Sequence, residues 1–215
     1  MTKLVGTAPN QTPTNADLGK LAYQDSIVTA AGGAMDLISR TVISNGDSSV
    51  IFTGFDANTY ESYEIYFANV VPQNDGRSFY FFTSSDGGLN YDQGNSDYAH
   101  VVLKETSATA LTLTTFNDFA AGAIYLSTGT GAVATAEVAQ GVSGKMEIFG
   151  AGDSQKFTSV NYTTSFAGTD DPSVNNVVFW QGIGHRKEAA VVTGIKFEFS
   201  TFESGTISFY GIKKS

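Results

Sequence analysis

From Leu37 onward, apolar residues recur at every second position in short runs broken by Gly, Asn and Asp. Tyr63, Ile65 and Phe67 alternate with Glu64, Tyr66 and Ala68; Phe79 and Phe81 alternate with Tyr80 and Phe82; Met146 and Ile148 alternate with Glu147 and Phe149. A period of two marks a strand with one buried face, because successive Cβ atoms point to opposite sides of a sheet. Further runs lie at 101–103, 111–115, 123–127, 177–180, 195–199 and 207–210. The last of these places Ile207 and Phe209 on one face and is expected to stop at Gly211, leaving a polar tail with Lys213 and Lys214.

Turn chemistry separates the runs: Asn45-Gly46, Asn74-Asp-Gly76, Asp86-Gly-Gly88, Gly129-Thr-Gly131 and Gly150-Ala-Gly-Asp153. Nine or so strands joined in this way predict an all-β fold of two packed antiparallel sheets. Sixteen Phe and ten Tyr, against three Met and one Trp, supply a core suited to pleated surfaces. A short helix is expected at Phe116-Asn-Asp-Phe-Ala120. The glycine pairs Gly150-x-Gly152 and Gly182-x-Gly184 continue into no phosphate-binding fingerprint and read as turns.

Residues 1–36 follow a different pattern. Pro9 and Pro13 fall in a stretch without strand alternation, which reads as an extended arm, and 16–23 could close one or two helical turns behind Asn15 as N-cap. The glycines at 32 and 33 make a hinge. The division is therefore an arm over 1–36 and a β-sandwich domain over 37–215.

Charge and composition narrow the partners. With 12 basic and 21 acidic residues the net charge is −9, which opposes binding to nucleic acid. No apolar stretch reaches the length needed to insert in a membrane, and the start Met-Thr-Lys-Leu-Val-Gly lacks a signal layout, so synthesis in a cytoplasm is expected. Cysteine is absent, and stability must come from packing and assembly.

The opening Gly6-Thr-Ala-Pro-Asn-Gln-Thr-Pro-Thr-Asn-Ala-Asp-Leu-Gly-Lys-Leu-Ala-Tyr-Gln-Asp-Ser26 resembles a segment at or near the start of tail-fibre and other virion structural proteins of marine bacteriophages. Phe52-Thr-Gly-Phe55, 63–70, 84–91, 144–149 and 195–211 resemble a β-sandwich module of phage virion proteins, whereas 104–140 match nothing of that kind. The resemblance implies a jelly-roll topology, which periodicity does not separate from other Greek-key sandwiches. It also implies a virion location, a homotrimer, and an arm that contacts other virion proteins through Pro9, Asn10, Pro13, Asn15, Leu18, Leu21 and Tyr23. The head would then adhere to a host-surface glycan or protein receptor. The alternative is a capsid decoration protein or head fibre that coats the shell.

No catalytic motif is expected to operate. The candidate carboxylates Asp86, Asp92, Asp97, Asp170 and Asp171 all fall in Gly- and Asn-rich loops, where acidic residues cap turns. No Gly-x-Ser-x-Gly elbow occurs, and His185 lies in Gly182-Ile-Gly-His-Arg-Lys-Glu188, which reads as an exposed hairpin loop. With two histidines, His100 and His185, and no cysteine, a zinc site is not expected, and no cofactor is called for. Asp86, Asn90, Asp92, Asn95 and Asp97 form an oxygen-rich loop with the ligand types of a calcium site; their spacing is not that of an EF-hand, and an Asx-turn loop explains the same residues, so both readings stand at this point. Sugar recognition pairs aromatic faces with amides and carboxylates, which makes Asp86, Asn90, Tyr91, Asp92 and Tyr98 the candidate ligand-binding set; Trp180 with Gln181 is a second, with Trp180 also suited to the core. The Asn-x-Thr sequons at Asn10 and Asn161 read as chance matches in a bacterial host.

Overall fold

The computed structural model describes residues 34–74, 76–107, 111–127, 141–168 and 177–214. The arm residues Pro9, Asn10, Pro13, Asn15, Leu18, Leu21 and Tyr23, the turn at 129–131, and Asp170 and Asp171 lie outside them.

Among the described residues the chain forms strands only. They are β1 (Met35–Ile43), β2 (Ser49–Thr53), β3 (Tyr60–Pro72), β4 (Phe79–Ser84), β5 (Tyr98–Ser107), β6 (Leu111–Ala121), β7 (Ile124–Ser127), β8 (Val142–Phe149), β9 (Phe157–Ala167), β10 (Val177–Ala189), β11 (Gly194–Glu198) and β12 (Phe202–Lys213). One sheet has eight strands in the order β1-β12-β3-β8-β9-β10-β5-β6, and the other has four in the order β2-β11-β4-β7. Every pairing is antiparallel.

The two sheets bury one shared core, as the alternation demands. Phe197 of β11 sits at its centre, with ring centroids 5.2 Å from Phe67 in the large sheet and 5.4, 5.9 and 6.3 Å from Phe81, Phe79 and Phe52 in the small one. Phe52 in turn meets Phe209 of β12 at 5.6 Å. Two of these contacts, Phe197 with Phe67 and with Phe52, are edge-to-face, a geometry favoured by the ring quadrupoles in addition to the area buried.

Four expectations need correction. Residues 116–120 belong to β6, because pairing with β5 along its length satisfies the backbone where a single helical turn would not. Gly182 and Gly184 lie inside β10; a Cβ on Gly182 would stand 2.3 Å from the Tyr162 ring, so glycine is set by close packing and not by a turn. Gly211 does not end its strand: β12 runs on to Lys213, whose ammonium pairs with Asp36 at 2.9 Å, and the Tyr60 ring occupies the space a Cβ at 211 would need. Finally, β1, β2 and β9 are additional to the nine expected runs. In β9 the inward positions include Thr158 and Thr164, and buried hydroxyls mask the apolar period. Thr164 donates to the Leu126 carbonyl at 2.9 Å. The turns at Gly46, Gly76, Gly87, Gly88 and Gly150 all use positive φ, as expected.

Phe197→Ala removes the ring on which four others converge. It is expected to lower unfolding free energy by about 3–5 kcal/mol in urea denaturation.

Candidate functional site

The segment between β4 and β5 holds the sequence-derived candidates, and the structure divides them. Asp86 accepts hydrogen bonds from the Ser84 hydroxyl at 2.7 Å, the Asn90 backbone N–H at 2.9 Å and the Asn90 side-chain amide at 2.7 Å. The two Asn90 donors, followed by Ser84, pull its pKa down to about 2. Asp86 and Asn90 therefore close a turn on themselves. Tyr91 folds over the outer side of the four-stranded sheet, its ring centroid 4.9 Å from the Lys196 ammonium, and its hydroxyl is buried without a hydrogen-bond partner. Asp97 accepts from the Gly94 N–H at 2.6 Å.

Tyr98 is not a loop residue and cannot meet a ligand: it opens β5 and is fully buried. Its hydroxyl accepts from the Thr83 N–H at 2.8 Å and donates to the Asp92 carbonyl at 3.1 Å. Burial pushes its pKa well above the ordinary phenol value. Asp92 accepts from the Thr83 hydroxyl at 2.7 Å and pairs with Arg186, its Oδ2 lying 2.8 Å from Nε and its Oδ1 3.1 Å from Nη2. Arg186 is 2% exposed and also reaches Glu188 at 3.1 Å. The run 182–188 thus lies in the second half of β10 and is not a hairpin loop. Through Thr83 in β4, Tyr98 in β5 and Arg186 in β10, this cluster ties the two sheets together. A recess of about 150 Å³ beside it is lined by Asp92, Ser96, Asp97, Arg186, Lys187 and Glu188.

The histidines stand on opposite faces of the large sheet. His100 is buried against Tyr125, and burial lowers its pKa; His185 is half-buried on the outer face, stacked on Phe157 at 5.6 Å and 8°. Among the described residues no three His, Cys, Asp or Glu side chains gather as a metal site. Trp180 and Gln181 are likewise split, Trp180 into the core and Gln181 onto the outer face.

That outer face carries a shallow groove of about 500 Å³ over β8, β9, β10 and β5. Val101, Ile183, Asn161 and Glu147 are partners along one rung across these strands, and Leu103, Gln181, Thr163 and Lys145 along the next. Lys145 and Glu147 pair at 2.7 Å. Of these residues only Gln181 figures among the sequence-derived ligand candidates, although Asn161, Thr163 and Ser165 do alternate with Tyr162, Thr164 and Phe166 in the sequence.

No protein-family model, curated protein or solved structure matches this chain.

Asp92→Ala removes the less exposed of the two carboxylates that meet the buried Arg186 guanidinium and leaves it to Glu188, which is 73% exposed. The expected loss is about 3 kcal/mol, at the low end for a broken buried pair because Asp92 retains some solvent contact, read as a lower urea midpoint at unchanged m. Because the folded-state pKa of Asp86 lies below the ordinary aspartate value of 3.8, its contribution is present above that pH and is lost as pH falls towards about 2. Asp86→Asn is expected to flatten that part of the acid unfolding curve.

Proposed function

We propose that this chain is a phage virion structural protein of the tail-fibre or collar type, anchored by its N-terminal arm and displaying the β-sandwich for adhesion to a host surface. The observation that carries the adhesion part is the contrast between the two polar regions. The carboxylates at 86, 92 and 97 are engaged by the protein's own donors, whereas the outer face of the eight-stranded sheet keeps an open groove with free edges of amide, hydroxyl and aliphatic groups. A rigid scaffold with an open face suits binding and display, and several copies on one particle convert weak contacts into firm attachment through effective concentration. The virion part rests on the resemblance of Gly6–Ser26.

We also infer a jelly-roll topology. Two long hairpins, β5–β6 and β9–β10, are extensions of the large sheet; without them the sheets read β1-β12-β3-β8 and β2-β11-β4-β7, an eight-stranded pair in which most successive strands change sheet. This supports the jelly roll over a simple meander.

Immunogold labelling of purified particles, with antibody against residues 40–215, tests the assignment. Gold on the tail fibres or collar is the expected outcome. Gold over the capsid would replace adhesion with shell decoration, and unlabelled particles would refute a virion role.

A further inference from the structure

We propose that the groove on the outer face of the eight-stranded sheet is a binding site for an uncharged saccharide, held across β8, β9, β10 and β5. The proposal rests on the adhesion reading for its biological setting and on the groove's own chemistry for its ligand class.

The first argument is functional-group matching. A saccharide hydroxyl both donates and accepts, and the side-chain amides of Asn161 and Gln181 and the hydroxyl of Thr163 do the same. They lie on neighbouring strands, about 4.8 Å apart across the sheet, on rungs separated by about 7 Å along it. This is the mesh on which a ring of hydroxyls can be met by several side chains at once. The volume falls within the range of about 300–1,000 Å³ typical of small-ligand sites.

The second argument concerns the apolar side of a sugar ring. Ile183 and Val101 are register partners on the groove floor and are 59% and 41% exposed, so the floor presents a small contiguous aliphatic surface to a ligand. One rung further along the same face, His185, Ser159 and Phe149 are register partners. There Phe157 lies parallel to His185, so a flat aromatic pair borders the aliphatic floor. Axial C–H groups of a pyranose find their complement on such a surface, while the amides beside it fix the orientation.

The third argument is charge. The formal charges lining the groove are Lys145 and Glu147, and they neutralise each other at 2.7 Å. A uronic acid or sialic acid would meet Glu147 and a protein of net charge −9 without an unpaired cation to receive it. A cationic ligand would have to displace Lys145 from its partner. An uncharged ligand disturbs neither.

The test uses the full chain displayed on fluorescent beads, which restores the multivalency a weak site needs. The beads are applied to immobilised gluco-, galacto- and manno-oligosaccharides and to oligouronates, and in parallel to cells of the bacterium the particles infect. Retention on one or more uncharged oligosaccharides is expected, falling about ten-fold or more in the double variant Asn161→Ala/Gln181→Ala. Tyr91→Ala, on the other sheet, should leave retention unchanged. Both altered positions are exposed, and an unchanged thermal midpoint confirms that folding is intact. Retention that survives the double variant, or a preference for oligouronates, would overturn the proposal. A changed oligomeric state in the double variant would assign the face to a subunit contact and overturn it as well. Beads that adhere to cells but retain no uncharged oligosaccharide would sink this inference and leave the adhesion reading standing; beads that do neither would sink both.

Discussion

In β9 and β10 the inner and outer faces are set by one register. Val160, Tyr162 and Thr164 point into the core, as do Val178 and Trp180, and the pleat then obliges Asn161, Thr163, Gln181 and Ile183 to point out. A slip of one residue would exchange the two sets, burying amides and exposing Trp180. The aromatic core therefore does more than stabilise the sandwich: it aligns the outward side chains on four neighbouring strands. Gly182 tightens the arrangement, since the Tyr162 ring fills the space its missing side chain leaves, and Tyr162 is further held by its hydroxyl donating to the Tyr125 carbonyl of the small sheet at 2.7 Å.

A second constraint is polar. Arg186 enters the interior from a strand and not from a loop, and it is tolerated there because Asp92 and Glu188 come to it. Buried ion pairs of this kind contribute little net stability but penalise any arrangement in which the partners separate. Here the penalty falls on displacing the 86–98 segment from the end of the sandwich. The carboxylates and the tyrosine that look available in the sequence are, in the folded chain, fasteners.

Much of the architecture is legible in the alternation: 63–68, 79–82 and 146–149 all become strands with the expected faces inward. The glycine turns at 46, 76, 87–88 and 150 are legible for the same reason, because they are local. What escapes is decided by distant contacts. The charged run at 185–188 resembles a loop until Asp92 is placed beside it, and Phe116–Ala120 resembles a helical turn until β5 is laid alongside. Tyr98 carries the composition of a binding loop, and only the Thr83 backbone, in another sheet, reveals that its hydroxyl is already engaged. The groove was the least visible feature, since its residues come from four strands and none forms a motif by itself.

The strand order bears on how the molecule comes to be made. β11 lies between β2 and β4, and β12 between β1 and β3, so the last two strands in the chain occupy interior positions in both sheets. Until they are synthesised, neither sheet can close, and the pairings they complete span much of the chain. A nascent chain lacking β11 and β12 holds four unfilled strand edges and no Phe197 at the centre of the core. Such non-local closure is slow, and it makes folding of this domain a late, cooperative event rather than a progressive one.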